Sequence, residues 1–223
     1  MRQNAAPGRK TPTHEAVYRA IADRILFGEF HPGQPLTLQS LADQLSVSLT
    51  PVRDAVRRLV AEGALVSHDN RRVGVPVVDF RTYGELISIR LFLEVKMAIS
   101  AIDHIDNHGI DKMTGFDDAL DRSIEQGDVG GYMRCNYDFH FTLYEYSDCT
   151  ASLPIARSIW TQLGPSHRIV CGRFGTSNLA DKHKEILAAL KVRDRDALQL
   201  ALEQDIDQGN ELVMLDADEG ADG

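Results

Sequence analysis

The stretch from Leu38 to Val78 constrains this chain more than any other. Leu41, Ala42 and Leu45 recur at helical spacing, which predicts a short helix starting near Gln39. Ser46, Val47 and Ser48 interrupt that pattern. Thr50 is placed to cap a second helix, with Pro51 in its first turn, where a missing N–H costs nothing. Val52, Ala55, Val56 and Leu59 make the inward face of this helix, and Arg53, Arg57 and Arg58 the outward one. After Gly63, two apolar runs (Ala64 to Ser67 and Val73 to Val78) flank the polar tip Asp69-Asn70-Arg71-Arg72, the pattern of a β-hairpin. Two short helices across a tight turn, the second with arginines outward, then a hairpin wing: this is the layout of a DNA-reading winged helix-turn-helix. An ordinary amphipathic helix with solvated arginines would explain the helix alone, but not turn, helix and wing in that order.

Composition matters here because the chain as a whole is acidic, with a net charge of −9 over 223 residues. The charge is unevenly divided. Residues 1–78 carry 10 Lys+Arg against 7 Asp+Glu, a net +3, while the remainder carries 14 against 26, a net −12. Attraction to phosphates is therefore confined to one end, and the asymmetry points to two domains with different partners. No apolar run approaches the roughly 18 residues that span a bilayer, and the N-terminus has no apolar signal segment. Cys135, Cys149 and Cys171 are scattered and form no CxxC pattern, as suits thiols in a reducing compartment. These features lead us to expect a soluble, cytoplasmic protein with no membrane partner.

In chain order, residues 1–13 read as a disordered basic tail and 14–78 as the winged helix-turn-helix domain. Val17, Ile21, Ile25 and Leu26 form a helical stripe between His14 and Phe27. His31-Pro-Gly-Gln-Pro35 is a turn, and Leu36 and Leu38 belong to a short strand that joins the wing. Asp79 or Thr82 caps the next helix, and residues 79–215 read almost entirely as helix. In the first of these helices Leu86, Ile89, Arg90, Leu93, Met97 and Ile102 form the expected inner stripe. Gly164-Pro165 should bend or break a later one. Short loops between about six such helices predict an antiparallel all-α bundle. Residues 216–223 form an acidic tail. The fold class is thus mainly α, with one small β-wing.

Several motifs carry a family resemblance. Ile25 to Leu36, Leu41-Ala-Asp-Gln-Leu45, Val47 to Leu59 and Glu62-Gly63 resemble the winged-helix domain of the GntR family of bacterial transcription regulators. Arg90-Leu-Phe-Leu-Glu94, Asn136-Tyr-Asp-Phe-His140, and His183 to Leu190 followed by Arg193-Asp194 resemble the FCD effector domain of its FadR-like branch. The resemblance implies a homodimeric DNA-binding regulator, usually a repressor, acting on a double-stranded operator. Dimerisation has a physical reason, since one recognition helix reads few base pairs and a two-fold pair doubles the contact. Arg53, Arg57 and Arg58 would approach the DNA with Thr50 at a phosphate, and Arg71 and Arg72 would reach the backbone or minor groove. The family usually has Arg where this chain has Leu49, which makes the operator unpredictable.

Asn136 and His140 stand four apart and share a helix face; His183 and Asp205 stand 22 apart on successive helices. Imidazole and carboxylate groups suit zinc, nickel, manganese or iron. The resemblance implies that Asn136, His140, His183 and Asp205 hold a divalent metal, with Asp205 where the family usually has a third His. It also implies that Arg90 pairs with a small carboxylic acid, since a guanidinium matches a carboxylate bidentately; Arg168 and Arg173 are candidates for a second contact. An Arg90–Glu94 ion pair within the helix is the competing reading. His104, His108 and His167 read as surface or loop histidines, with His167 the one placed to face the pocket. Two other functions stay open: a regulator whose bundle only dimerises, and a metal-dependent enzyme using two His and one carboxylate. The enzyme lacks any evident base or nucleophile and would have no use for the basic head.

Overall fold

The computed structural model describes residues 13–68, 72–174 and 182–207, except for the side chains of Val170, Arg173 and Phe174. Its first helix, α1 (His14–Leu26), starts where the Thr13 side chain accepts a hydrogen bond from the Ala16 amide. A strand, β1 (Pro35–Thr37), leads into α2 (Leu38–Leu45), capped by Thr37 through the Ser40 amide. That helix ends at Ser46 in the left-handed region, φ 54°. The next helix, α3 (Leu49–Ala61), follows at once. It starts two residues earlier than expected: Ser48, not Thr50, is its N-cap, and Pro51 is the third helical residue. Pro51 still costs nothing there, because the first four amides of a helix have no intrahelical partner.

Strands β2 (Val66–His68) and β3 (Arg72–Gly74) form the wing, and β3 is central in an antiparallel sheet ordered β1-β3-β2. Leu36 lies opposite Val73, so the strand expected after the turn does join the wing, while Leu38 belongs to α2. The second wing strand is shorter than the apolar run suggested, because Pro76 has no N–H to continue the ladder. The tip containing Arg71 lies outside the described residues, as do the expected tails. Val17, Ile21, Ile25, Leu41, Val52, Val56, Leu59 and Leu65 pack into one core.

Six helices follow: α4 (Phe80–Ala101), α5 (Asn107–Gln126), α6 (Val129–Tyr144), α7 (Ser152–Phe174), α8 (His183–Val192) and α9 (195–207). Asp79, Asp106 and Asp128 cap the first three, each carboxylate accepting from the amide three residues on. Their second core gathers Tyr83, Met97, Phe139, Tyr144, Trp160, Leu163, Leu190 and Leu202. Two expectations hold only in part. Helix α7 does not break at Pro165 but continues through it, held along its length by α1, α4 and α6. In α4 the buried face is Tyr83, Ile87, Arg90, Glu94, Met97 and Ala101, while Ile89 is 45% exposed and Leu86 and Leu93 are half-buried. Apolar residues surround this helix, so periodicity could not choose a face; packing against α6 and α7 did.

The two cores meet along α7. Leu26, at the end of α1, is buried in the helical core. Its carbonyl sits against Gly164, where an added Cβ would lie 2.1 Å from the oxygen. Ser158 Oγ donates to the Glu62 carbonyl at 3.2 Å, and Gln162 packs on Gly63.

Candidate functional site

Arg53 and Arg57 lie one turn apart on the exposed side of α3. With Arg72 of β3 and Ser67 of β2 they line a surface groove of about 570 Å³ floored by Val56 and Val73. Three guanidinium groups between a recognition helix and a wing form a positively charged track suited to a phosphate backbone. Thr50 and Leu49 are exposed at the start of the same helix. Arg58 departs from the expectation. Its Nε donates to Glu62 at 2.9 Å, its Nη1 to Glu15 at 3.1 Å, and its guanidinium covers the Tyr18 ring at 3.6 Å. The Tyr18 hydroxyl, pushed up to about 12 by burial and by Glu62, donates to the same carboxylate. Arg58 therefore clamps α1 to α3 on the side away from the groove.

In the bundle, α6, α8 and α9 bring Asn136, His140, His183 and Asp205 together. His140 Nε2 lies 3.1 Å from Asp205 Oδ2 and 3.4 Å from His183 Nε2, which is 3.1 Å from Asn136 Oδ1. Donor atoms sharing one ion at about 2.1 Å stand roughly 3.0 to 3.4 Å apart at octahedral or tetrahedral angles, so the spacing fits a divalent metal. Proton accounting supports this. His183 Nδ1 is buried 3.2 Å from Asp117 Oδ1; the two are not aligned as a hydrogen bond, but a carboxylate that can only accept favours the proton on Nδ1. Nε2 then turns a lone pair toward the Asn136 oxygen, an arrangement that a cation relieves. The Lys182 amide donates to Asp205 Oδ1 at 3.1 Å, leaving Oδ2 for the cluster. Burial opposes the charge on Asp205, but His140, His183 and that amide outweigh it and hold the carboxyl well below its usual range. Asp117 is held low in the same way, with burial outweighed by His183 and Lys184. Sequence reading missed Asp117. It sits on α5, 66 residues before its partner, and no local pattern marks it.

Residues 13–75 match the family described as bacterial regulatory proteins, gntR family, and residues 85–208, more than half the chain, match the FCD domain. The chain belongs to the GntR family. It is 26% identical over 191 residues to the HTH-type transcriptional regulator McbR of Escherichia coli K12, covering 84% of this chain and 86% of McbR. It is 22% identical over 212 residues to the HTH-type transcriptional repressor RspR of the same strain, covering 95% and 93%. The solved structure of Escherichia coli McbR/YncC superposes with a TM-score of 0.87 at 24% identity over 92% of this chain and 98% of that one, which establishes the shared fold. Regulators of the GntR family bind DNA operators, FCD domains are often metal-binding and point to a small-molecule effector, and dimerisation is common among them. The relatives are named transcriptional regulators, not enzymes. Among the described residues, no helix is long and apolar enough to cross a membrane.

In this GntR-family chain the expected effector residues part company. Arg90 is buried and forked onto Glu94, with Nε to Oε1 at 2.7 Å and Nη2 to Oε2 at 3.3 Å, so the ion pair is present. Its guanidinium lies 4.3 Å over the Trp160 ring. Arg168 is elsewhere: its stem packs across Gly28, just beyond α1, and its Nη1 reaches Gly130, which puts it in the seat between α1 and α7. The side chain of Arg173 lies outside the described residues. His167, read as a surface or loop histidine or else one facing the pocket, meets the Tyr83 hydroxyl at 2.8 Å inside the α4–α7 contact. Burial, and then the charge of Arg90, pushes its pKa down to about 3.

Proposed function

We propose that this protein is a homodimeric repressor whose operator affinity is set by a small carboxylic acid bound in the helical half, beside a divalent metal held by Asn136, His140, His183 and Asp205. Residues 14–78 serve as the DNA-reading head and 79–215 as the effector-binding and dimerisation body. The observation that carries this reading is that His140, His183 and Asp205 bring ligand atoms within 4.8 Å of one another, with Asn136 Oδ1 3.1 Å from His183 Nε2. The harder donor set, with Asp205 in place of an imidazole, suits manganese, iron or nickel as well as zinc. Arg90 supplies the anion contact: Glu94 engages its Nε and Nη2, which leaves the Nη1 edge to a carboxylate. Head contacts belong to Thr50, Arg53, Arg57 and the wing arginines. The repressor role follows the names of relatives such as RspR.

A second copy covers α4. Ile89 and Phe92 stand exposed beside half-buried Leu86 and Leu93, an apolar strip on the outer face of that helix. Helix α7 supports the switch. Trp160 on one side touches Arg90 and Glu94, while Ser158, Gln162, Gly164 and Arg168 on the other hold the head. An acid that moves Trp160 thus shifts the placement of both heads against their half-sites. Fluorescence anisotropy on the DNA upstream of the gene, across a salt series, tests the reading. Specific binding should be lost with Arg53→Ala, and candidate acids should release the DNA only when Mn²⁺, Ni²⁺ or Zn²⁺ is supplied. Release that is indifferent to metal would refute the metal-borne effector site.

A further inference from the structure

Glu94 has no solvent exposure and sits between the two ligand contacts proposed above. Its Oε1 accepts from Arg90 Nε at 2.7 Å and from Trp160 Nε1 at 2.7 Å. Its Oε2 accepts from Arg90 Nη2 at 3.3 Å and from the Tyr144 hydroxyl at 2.8 Å. The same hydroxyl lies 3.3 Å from His140 Nδ1. A tyrosine has one proton to give, and here it goes to the carboxylate, so toward His140 the oxygen can only accept. His140 can bond that oxygen only with its proton on Nδ1, while the Asp205 carboxylate, 3.1 Å from Nε2, competes for the same proton. With the proton on Nδ1, the Nε2 lone pair points at Asp205 Oδ2 and His183 Nε2.

We propose that Glu94, acting through Tyr144, is the positioning residue that fixes the metal-ready tautomer of His140 while holding Arg90 in its fork, so that metal binding and the arginine site are coupled through one carboxylate. The inference rests on the metal reading given above and adds to it a specific path. His183 is set by direct contact with Asp117; His140 is set at one remove, by a chain that ends on the effector arginine. Outer partners of metal-bound histidines raise ligand basicity and fix ring orientation, and losing one commonly costs 10- to 100-fold in metal affinity. Their role is not confined to packing, because the quantity they set is which nitrogen is free to bind.

Calorimetric titration of the metal-free protein with Mn²⁺, Ni²⁺ and Zn²⁺ tests this, together with the Ni²⁺ absorption spectrum. His183→Ala removes a proposed ligand, and binding should be lost. Tyr144→Phe keeps the ring and deletes the relay; affinity should fall about 10-fold or more with an altered Ni²⁺ spectrum. Arg90→Lys should weaken Ni²⁺ binding several-fold in the natural background and leave it unchanged in the Tyr144→Phe background, since the path is already cut. Should these variants fold poorly, ¹⁵N shifts of His140 in the natural metal-free protein at neutral to mildly alkaline pH read the tautomer directly. Protonation at Nδ1 is expected. Loss of binding in His183→Ala with full affinity in Tyr144→Phe, or an Nε2-protonated His140, overturns the relay and leaves the metal site standing. Failure of the natural protein to bind any of the three ions overturns both.

Discussion

Replacing Gly164 with alanine tests how the head is seated on the bundle. In an isolated helix the change stabilises by about 1 kcal/mol, because alanine has less backbone freedom to lose. In this protein the sign reverses. The new Cβ would stand 2.1 Å from the Leu26 carbonyl oxygen, 2.7 Å from its carbon and 2.8 Å from its Cα, all backbone atoms that no rotamer change can move. Comfortable contact needs about 3.5 Å, so the end of α1 must retreat by over about 1 Å. Leu26 is 5% exposed within the bundle core and would be partly withdrawn from it. Overpacking costs about 1–3 kcal/mol and losing part of a leucine's burial about another 1. Against the propensity gain, the net is a loss of about 1–3 kcal/mol, or a fall of roughly 3–10 °C in a chain of this size. Thermal unfolding followed by circular dichroism, metal-free and at fixed protein concentration, measures it. Gly115 supplies the control, since it lies within α5 with nothing inside 4 Å of an added Cβ. Gly115→Ala should be neutral or slightly stabilising. If Gly164→Ala raises stability as well, α1 does not rest on α7 at Leu26 and the transmission route through that helix is wrong.

Other perturbations probe the remaining parts. Asp117→Asn should lower Ni²⁺ affinity about 10- to 100-fold in calorimetry, because the amide no longer holds the proton on His183 Nδ1; unchanged affinity would remove Asp117 from the site. His167 is neutral when folded, with its pKa at about 3, but titrates near 6.5 when unfolded. The unfolded chain therefore binds more protons between these values, and stability falls as pH drops through that window. The cost by pH 5 is about 1 kcal/mol after discounting for the partly accessible ring. In urea titrations at pH 7 and 5, His167→Gln should lose less stability on acidification than the natural protein; equal losses would refute the buried neutral imidazole. Phe92→Glu places a charge on the exposed strip of α4, and sedimentation should shift from dimer to monomer. A dimer that survives has its interface elsewhere. Leu49→Arg should add one phosphate contact and steepen the log–log salt dependence of DNA binding by about 0.9; an unchanged slope would put residue 49 away from the backbone.

Local chemistry made much of this protein legible from its residues. The Asp79 cap followed by apolar periodicity is a contact within one turn, so the helix it starts depends little on the rest of the chain. The family motifs carried the two-part architecture and singled out Asn136, His140, His183 and Asp205, which the structure brings within hydrogen-bonding reach of one another. Where periodicity was ambiguous, sequence reading failed. Helix α4 is apolar on several sides: Arg90, Met97 and Ile102 are buried as its spacing suggested, but packing against α6 and α7 turned Glu94 inward as well and left Ile89 outside. Charge alone could not sort the arginines either. Arg53 and Arg57 face the groove, but Arg58 is claimed by Glu15 and Glu62, and Arg168 by the glycines at the seat. Asp117 meets His183 from 66 residues away, and Glu94 meets Tyr144, and through it His140, from 50 residues away along the chain. Such long-range pairs leave no periodic trace, because their separation depends on how helices pack and not on how each one winds. Residue types alone set which groups were available for metal, anion and DNA; packing selected which of them meet, since a hydrogen bond or a shared ion requires positions within about 3 Å that helices far apart in the chain reach only once they dock.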